Sequence, residues 1–130
     1  MKMRHDLLSD LLSAIKMGDR FGKTDAIVPA SKLLKDVLII LQKNGYIGNF
    51  EYVDDGRGGK FKIGLTGGVN DCGSIRPRYA VTKDGYEKYE RRFLPASGVG
   101  LLIVSAPSGV KTHMEAKEQK TGGKLLAYIY

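Results

Sequence analysis

A chain of 130 residues with 42% hydrophobic content can fill one compact domain or two small modules sharing an interface, which excludes disorder throughout. Its 21 Lys and Arg against 14 Asp and Glu leave a formal charge of +7, which favours an anionic partner. No apolar run approaches the roughly 20 residues that span a bilayer, and Cys72 is the only cysteine, which excludes an internal disulfide and a thiolate zinc cluster.

The amino terminus, MKMRHD, passes into a polar-punctuated helical pattern rather than a signal peptide, so a reducing, cytoplasmic setting is expected. Leu7, Leu8, Leu11, Leu12 and Ile15 recur at helical spacing, with Asp6 placed to cap the helix and Gly18 to end it. Ala26 to Val28 reads as a short strand. A second helix is expected from about Ser31, as N-cap, through Leu34, Val37, Leu38 and Leu41 to the stop at Asn44-Gly45. From Ile47 to Val53 and from Lys60 to Leu65 the period changes to two, placing Phe61, Ile63 and Leu65 opposite Lys60 and Lys62. Asp54 to Gly59 is the turn between these strands.

This order, αβαββ, defines an expected amino-terminal module over residues 1–66, a sheet whose two helices can pack on one face. Residues 67–130 are expected to form a β-rich carboxy-terminal module with a short helix. Its elements are a strand from Ser74 to Val81, an amphipathic charged segment from Tyr86 to Phe93, and an apolar strand from Leu101 to Val104. A loop follows, then a helical turn around Met114 to Gln119, and a last strand from Leu125 to Tyr130 after Gly122-Gly123. The fold class expected is therefore α+β, with the two modules packed together.

Catalytic signatures are missing. Gly122-Gly123-Lys124-Leu125 lacks the spacing and the hydroxyl of a phosphate-binding loop, and His5 and His113 have no motif joining them to a nucleophile. They read as surface histidines, with a phosphate contact as the alternative for His113. Asp54 and Asp55 resemble paired carboxylates, yet in front of Gly56 they are better explained by turn geometry. No enzyme, cofactor, metal or small-molecule substrate is expected.

Cations interleaved with aromatic residues carry more, because cations neutralise phosphates while rings stack on unpaired bases. Arg76, Arg78 and Tyr79 form one such group, and Tyr86, Lys88, Tyr89, Arg91 and Arg92 another, although Tyr86, Tyr89 and Phe93 share a helix face and equally suit a core. The stretch Ser105-Ala106-Pro107-Ser108-Gly109-Val110 follows an apolar strand directly. Such a stem would hold small side chains and hydroxyls rigidly enough to read base edges or 2′-hydroxyls, with Lys111 and Lys117 adding phosphate affinity. Without further context, the same residues read as an ordinary hairpin turn.

The run from Gly100 to Lys117, GLLIVSAPSGVKTHMEAK, resembles the signature of the small-subunit ribosomal protein S8 family, as does the ending Gly122-Gly123-Lys124-Leu125-Leu126-Ala127-Tyr128. His5-Asp6-Leu7 through Ile15, Pro29-Ala30-Ser31-Lys32 and Asn44-Gly45-Tyr46-Ile47 resemble the family's first two helices and the stop that follows. Arg76-Pro77-Arg78 and the block from Gly85 to Ala96 are similar to its archaeal and eukaryotic branch. Three departures stand out: Ala106 replaces the usual Thr, Lys111 replaces an aliphatic residue, often Met, and Leu7 stands where many members have Pro.

The resemblance implies a structural component of the small ribosomal subunit that binds a stem with an internal loop in the central domain of the subunit's RNA, beside neighbouring ribosomal proteins. It implies that Ser105, Pro107, Ser108 and Gly109 enter the minor groove, with Ala106 contributing backbone only. By the same resemblance Lys124, beside Gly122-Gly123, would meet the backbone, while Lys111, Arg76, Arg78 and Tyr86 join the expected RNA-binding residues through charge and aromatic character. Lys32, Arg57 and Lys60 would touch a second RNA segment. A different reading, half of a winged-helix DNA-binding regulator, would place the helix at 31–44 in a major groove and the hairpin around Arg57 on phosphates. That helix is too apolar for the role, and residues 70–130 would have none. An enzyme acting on phosphorylated substrates is disfavoured further, because it has no base beside a nucleophile.

Overall fold

In the computed structural model, which describes residues 7–75, 78–96 and 98–130, Leu8, Leu11, Leu12 and Ile15 bury one face of helix α1 (Leu7–Arg20). Asp6, expected as its cap, lies outside the described residues. The helix runs past the expected stop at Gly18, which is buried because the Leu65 side chain occupies the space a Cβ would need. It ends two residues on, at Arg20. Lys23 N–H donates to the Gly18 carbonyl at 2.8 Å and Gly22 N–H to that of Asp19 at 3.3 Å, with Gly22 at φ +70°.

Chain contacts divide the protein into two compact units, Met1–Val69 and Asn70–Tyr130. In the first, α2 (Lys32–Lys43) starts where the Ser31 hydroxyl accepts the Leu34 N–H at 3.2 Å, and it stops at Asn44-Gly45. Strands β1 (Asp25–Pro29), β2 (Ile47–Val53) and β3 (Lys60–Leu65) form an antiparallel sheet in the order β1-β3-β2. Period two is visible in the burial: Val28, Phe61 and Ile63 are buried and Lys60, Lys62 and Ile27 exposed. Between β2 and β3 the two aspartates are occupied with the turn. Asp54 accepts the Gly56 N–H at 2.9 Å, while Asp55 accepts those of Arg57 and Gly59 at 2.8 and 3.0 Å. These bonds hold the Asp55 carboxyl below the usual range.

The second unit is an antiparallel sheet in the order β4-β8-β6-β7, with β5 also on β8. Its strands are β4 (Cys72–Ser74), β5 (Ala80–Val81), β6 (Leu101–Ala106), β7 (Gly109–Thr112) and β8 (Gly123–Ile129). The single strand expected from Ser74 to Val81 is instead two short ones on the same neighbour, pairing Cys72 with Ile129 and Ala80 with Lys124. Ile75, Arg78 and Tyr79 belong to neither strand. Helices α3 (Tyr86–Phe93) and α4 (His113–Glu118) supply Tyr86 and Ala116 to a core that includes Leu102, Val104 and Leu125.

Thr112 and Glu115 form a capping box at the start of α4, with the Glu115 N–H donating to the Thr112 hydroxyl at 3.1 Å. At its other end Thr121 N–H reaches the Ala116 carbonyl at 3.0 Å and Lys120 N–H that of Lys117 at 3.1 Å, which forces Lys120 to φ +54°. A side chain costs about 1 kcal/mol there relative to glycine. Lys120→Gly is therefore expected to raise the unfolding free energy by up to about 1 kcal/mol in urea denaturation; a loss of stability would contradict this account of the helix end.

Candidate nucleic-acid interface

The expected loop from Ser105 to Val110 is a tight hairpin. Ser105 pairs with Val110 and Ala106 with Gly109, leaving Pro107 and Ser108 as its two-residue tip, and Gly109 takes φ +131° to close it. β6 is buried from Leu101 to Val104 and first reaches the surface at Ser105, so the exposed tip rests on a stem fixed by the core. Ala106 is buried on the side of Val104. The missing hydroxyl at this position is therefore a change inside the stem, and the Ala106 side chain is not part of the exposed tip.

A register shift sets what stands beside the tip. β8 pairs with β6 as Ile103 with Ala127 and then Val104 with Leu125, so Leu126 is the extra residue of a bulge. Without it Ser105 would face Leu125. With it, Leu125 joins Val104 in the core and Lys124 sits directly beside Ser105 on the exposed side, next to Ala80 on β5. Gly122 and Gly123 make this approach possible. A Cβ on Gly123 would fall 2.6 Å from the Ser105 carbonyl oxygen, and one on Gly122 would fall 2.5 Å from that of Val81. Expected as RNA contacts, these half-buried glycines act first as strand-packing residues.

Two expectations change in kind. Lys111, expected to meet phosphate, is only 7% exposed: its stem lies on the face of Val104, and its ammonium donates to the Ser108 hydroxyl at 2.7 Å and to the Gln119 side-chain oxygen. Tyr86 is 1% exposed and its hydroxyl donates to the Thr121 carbonyl at 2.9 Å, so its ring is part of the core and offers no stacking face. The sequence signal that separates these roles is weak. An aliphatic-to-lysine change in a strand reads as a surface cation unless its partners, here Ser108 and Gln119, are known.

Other candidates are exposed. Arg78 leads into β5, while Arg57 and Lys60 lie at the β2–β3 hairpin, with Lys60 3.9 Å from Asp55. Lys32 borders an open cleft that also includes Lys35, Phe50, Tyr52 and Phe61; Tyr52 is 57% exposed and sits edge-on to Phe61 at 6.1 Å. Phe50 and Tyr52 were not singled out in the sequence: their period-two spacing was visible there, but their place beside Lys32 and Lys35 is set by the fold. Arg76 lies outside the described residues. Around α3, Arg92 stands over the Tyr79 ring at 5.1 Å, and Tyr79 meets Tyr89 at 5.4 Å.

His113, expected at the surface, is 3% exposed. Its Nδ1 accepts the Leu102 N–H at 3.0 Å, which leaves the proton on Nε2, 3.7 Å from a Glu90 carboxylate that is ion-paired with Lys117. Burial lowers the imidazole's pKa below 6.5, against the opposing pull of Glu90 and together with repulsion from Lys117. The unfolded chain thus takes up a proton near pH 6.5 that the folded protein refuses until lower pH. Stability present above that value is lost as pH falls from it towards the folded pKa. Urea unfolding at pH 7.5, 6.5 and 5.5 is expected to show this decline, and His113→Gln to flatten it; equal profiles for the two proteins would remove His113 as its source.

Among the described residues no group of His, Cys, Asp and Glu could hold a metal ion, and no helix is long and apolar enough to cross a membrane. The family model described as ribosomal protein S8 matches residues 6–130.

Proposed function

The chain belongs to the ribosomal protein S8 family, and from that premise we propose that it binds the central domain of small-subunit ribosomal RNA and helps that domain assemble. The observation that carries this reading is the exposed row formed by Ser105 and Lys124 beside the Pro107-Ser108-Gly109 tip. A-form RNA presents base edges and 2′-hydroxyls in a wide, shallow minor groove, which a narrow hairpin of small residues can enter where the stem is irregular. Lys124 stands on the same face to neutralise a phosphate.

The role is one of binding. Ser105, Ser108 and the backbone at Pro107 and Gly109 supply polar contacts that depend on base geometry; Lys124 and Arg78 supply charge that does not. In the other unit, Lys32, Arg57 and Lys60, with the aromatic side chains of the Lys32 cleft, suit a second RNA segment containing an unstacked base. Neighbouring ribosomal proteins are the remaining partners. The winged-helix alternative loses support from α2, whose Leu34, Val37, Leu38 and Leu41 are buried and unavailable to a major groove.

Filter binding across a salt series tests this, with the central-domain fragment, an unrelated RNA duplex and a DNA duplex as ligands. Tight binding confined to the first fragment is expected; equal affinity for all three would overturn the proposal. Ser108→Ala is expected to weaken the specific complex about fivefold, the value of roughly one hydrogen bond, with the salt slope unchanged. Lys124→Ala should weaken binding to every RNA and lower the slope by about one.

A further inference from the structure

We propose that Lys111 is a positioning residue that makes Ser108 a hydrogen-bond donor towards RNA; this rests on the hairpin being the RNA-binding element. The Lys111 stem runs along the core face of β7, opposite Val104, and its ammonium ends between the hairpin tip and the last turn of α4. There it donates to the Ser108 hydroxyl oxygen at 2.7 Å and to the side-chain oxygen of Gln119.

An ammonium has three donors and no acceptor, whereas a serine hydroxyl has one donor and two lone pairs. The Lys111 contact occupies one lone pair of Ser108 and cannot receive its proton. That hydrogen therefore turns outward, where Ser108 is exposed, and the ligand atom that suits it is an acceptor. In an RNA minor groove these are pyrimidine O2, purine N3 and the 2′-oxygen. Donation from an ammonium also polarises the hydroxyl and strengthens the bond it gives. Gln119 holds the other side of the lysine, and its own place is fixed by the end of α4, where its N–H donates to the Glu115 carbonyl at 3.0 Å.

The cation is thus spent inside the protein. A lysine that neutralised phosphate would contribute to the salt dependence of binding; one that orients a serine would contribute to affinity through that serine alone. The two roles separate in a double-mutant cycle on the central-domain RNA fragment. Lys111→Met, which keeps the stem and removes the ammonium, is expected to lower affinity about threefold to tenfold with an unchanged salt slope. Combined with Ser108→Ala it should add little to the serine change alone. Gln119→Leu, which leaves both Lys111 and Ser108 in place but releases the lysine, should show a smaller loss in the same direction. Thermal unfolding of each variant identifies any loss that comes from misfolding.

A Lys111→Met effect that multiplies fully with that of Ser108→Ala, a fall of about one in the salt slope, or no change in affinity for a folded Lys111→Met protein would each overturn the proposal. Absence of specific binding by the unmodified protein, or a Ser108→Ala protein that binds normally, would instead remove the hairpin reading beneath it.

Discussion

The close approach of β8 to β6 is the constraint on which the second unit depends. Two glycines let the start of β8 press against the carbonyls of Ser105 and Val81, and a single extra residue, Leu126, shifts the register beyond it. A slip of one residue in a strand exchanges its faces. Here that exchange separates a leucine in the core beside Val104 and a lysine on the surface beside Ser105 from the reverse arrangement. The core and the exposed face that carries Ser105 and Lys124 are thus set by one feature, and a larger side chain at Gly123 would disturb both.

Three polar side chains of the same unit are buried against this sheet rather than exposed from it. Lys111, His113 and Tyr86 are all buried, and each is satisfied by a defined partner: Ser108 and Gln119, the Leu102 amide, and the Thr121 carbonyl. A buried polar group without its partner costs more than the bond itself is worth, so each fixes the segment that supplies its partner. Together they tie the hairpin tip and both ends of α4 to the sheet. The exposed tip can consequently be small and still be held rigidly.

The first unit distributes its polar residues differently. Asp54 and Asp55 close the β2–β3 turn, while Lys32, Lys35 and Tyr52 line an open cleft. Positive charge in that unit belongs to the surface, whereas in the second unit Lys111, one of the cations closest to the hairpin tip, is internal. Equal residue types therefore have different consequences for binding, and net charge alone overstates the number of cations available to phosphate.

Much of this was legible in the sequence. Apolar spacing along α1 and α2, the Ser31 cap, the alternation in β3 and the Asp-Asp-Gly turn are local properties, written in neighbouring residues and governed by backbone sterics and short-range hydrogen bonds. The family signature located the hairpin in the same way. What local pattern could not convey was which side of a strand a residue would occupy once strands met: Gly18 continues its helix because Leu65 needs the space, and Ala106 turns inward with Val104. Lys111 and His113 bury because remote segments supply their hydrogen-bond partners. The sequence by itself determined most of the elements, the charge and the family, since these depend on residues close in the chain; the tertiary structure decided the faces, the split of the strand expected over Ser74–Val81 and the pairing of β7, because register and burial depend on residues brought together from far apart.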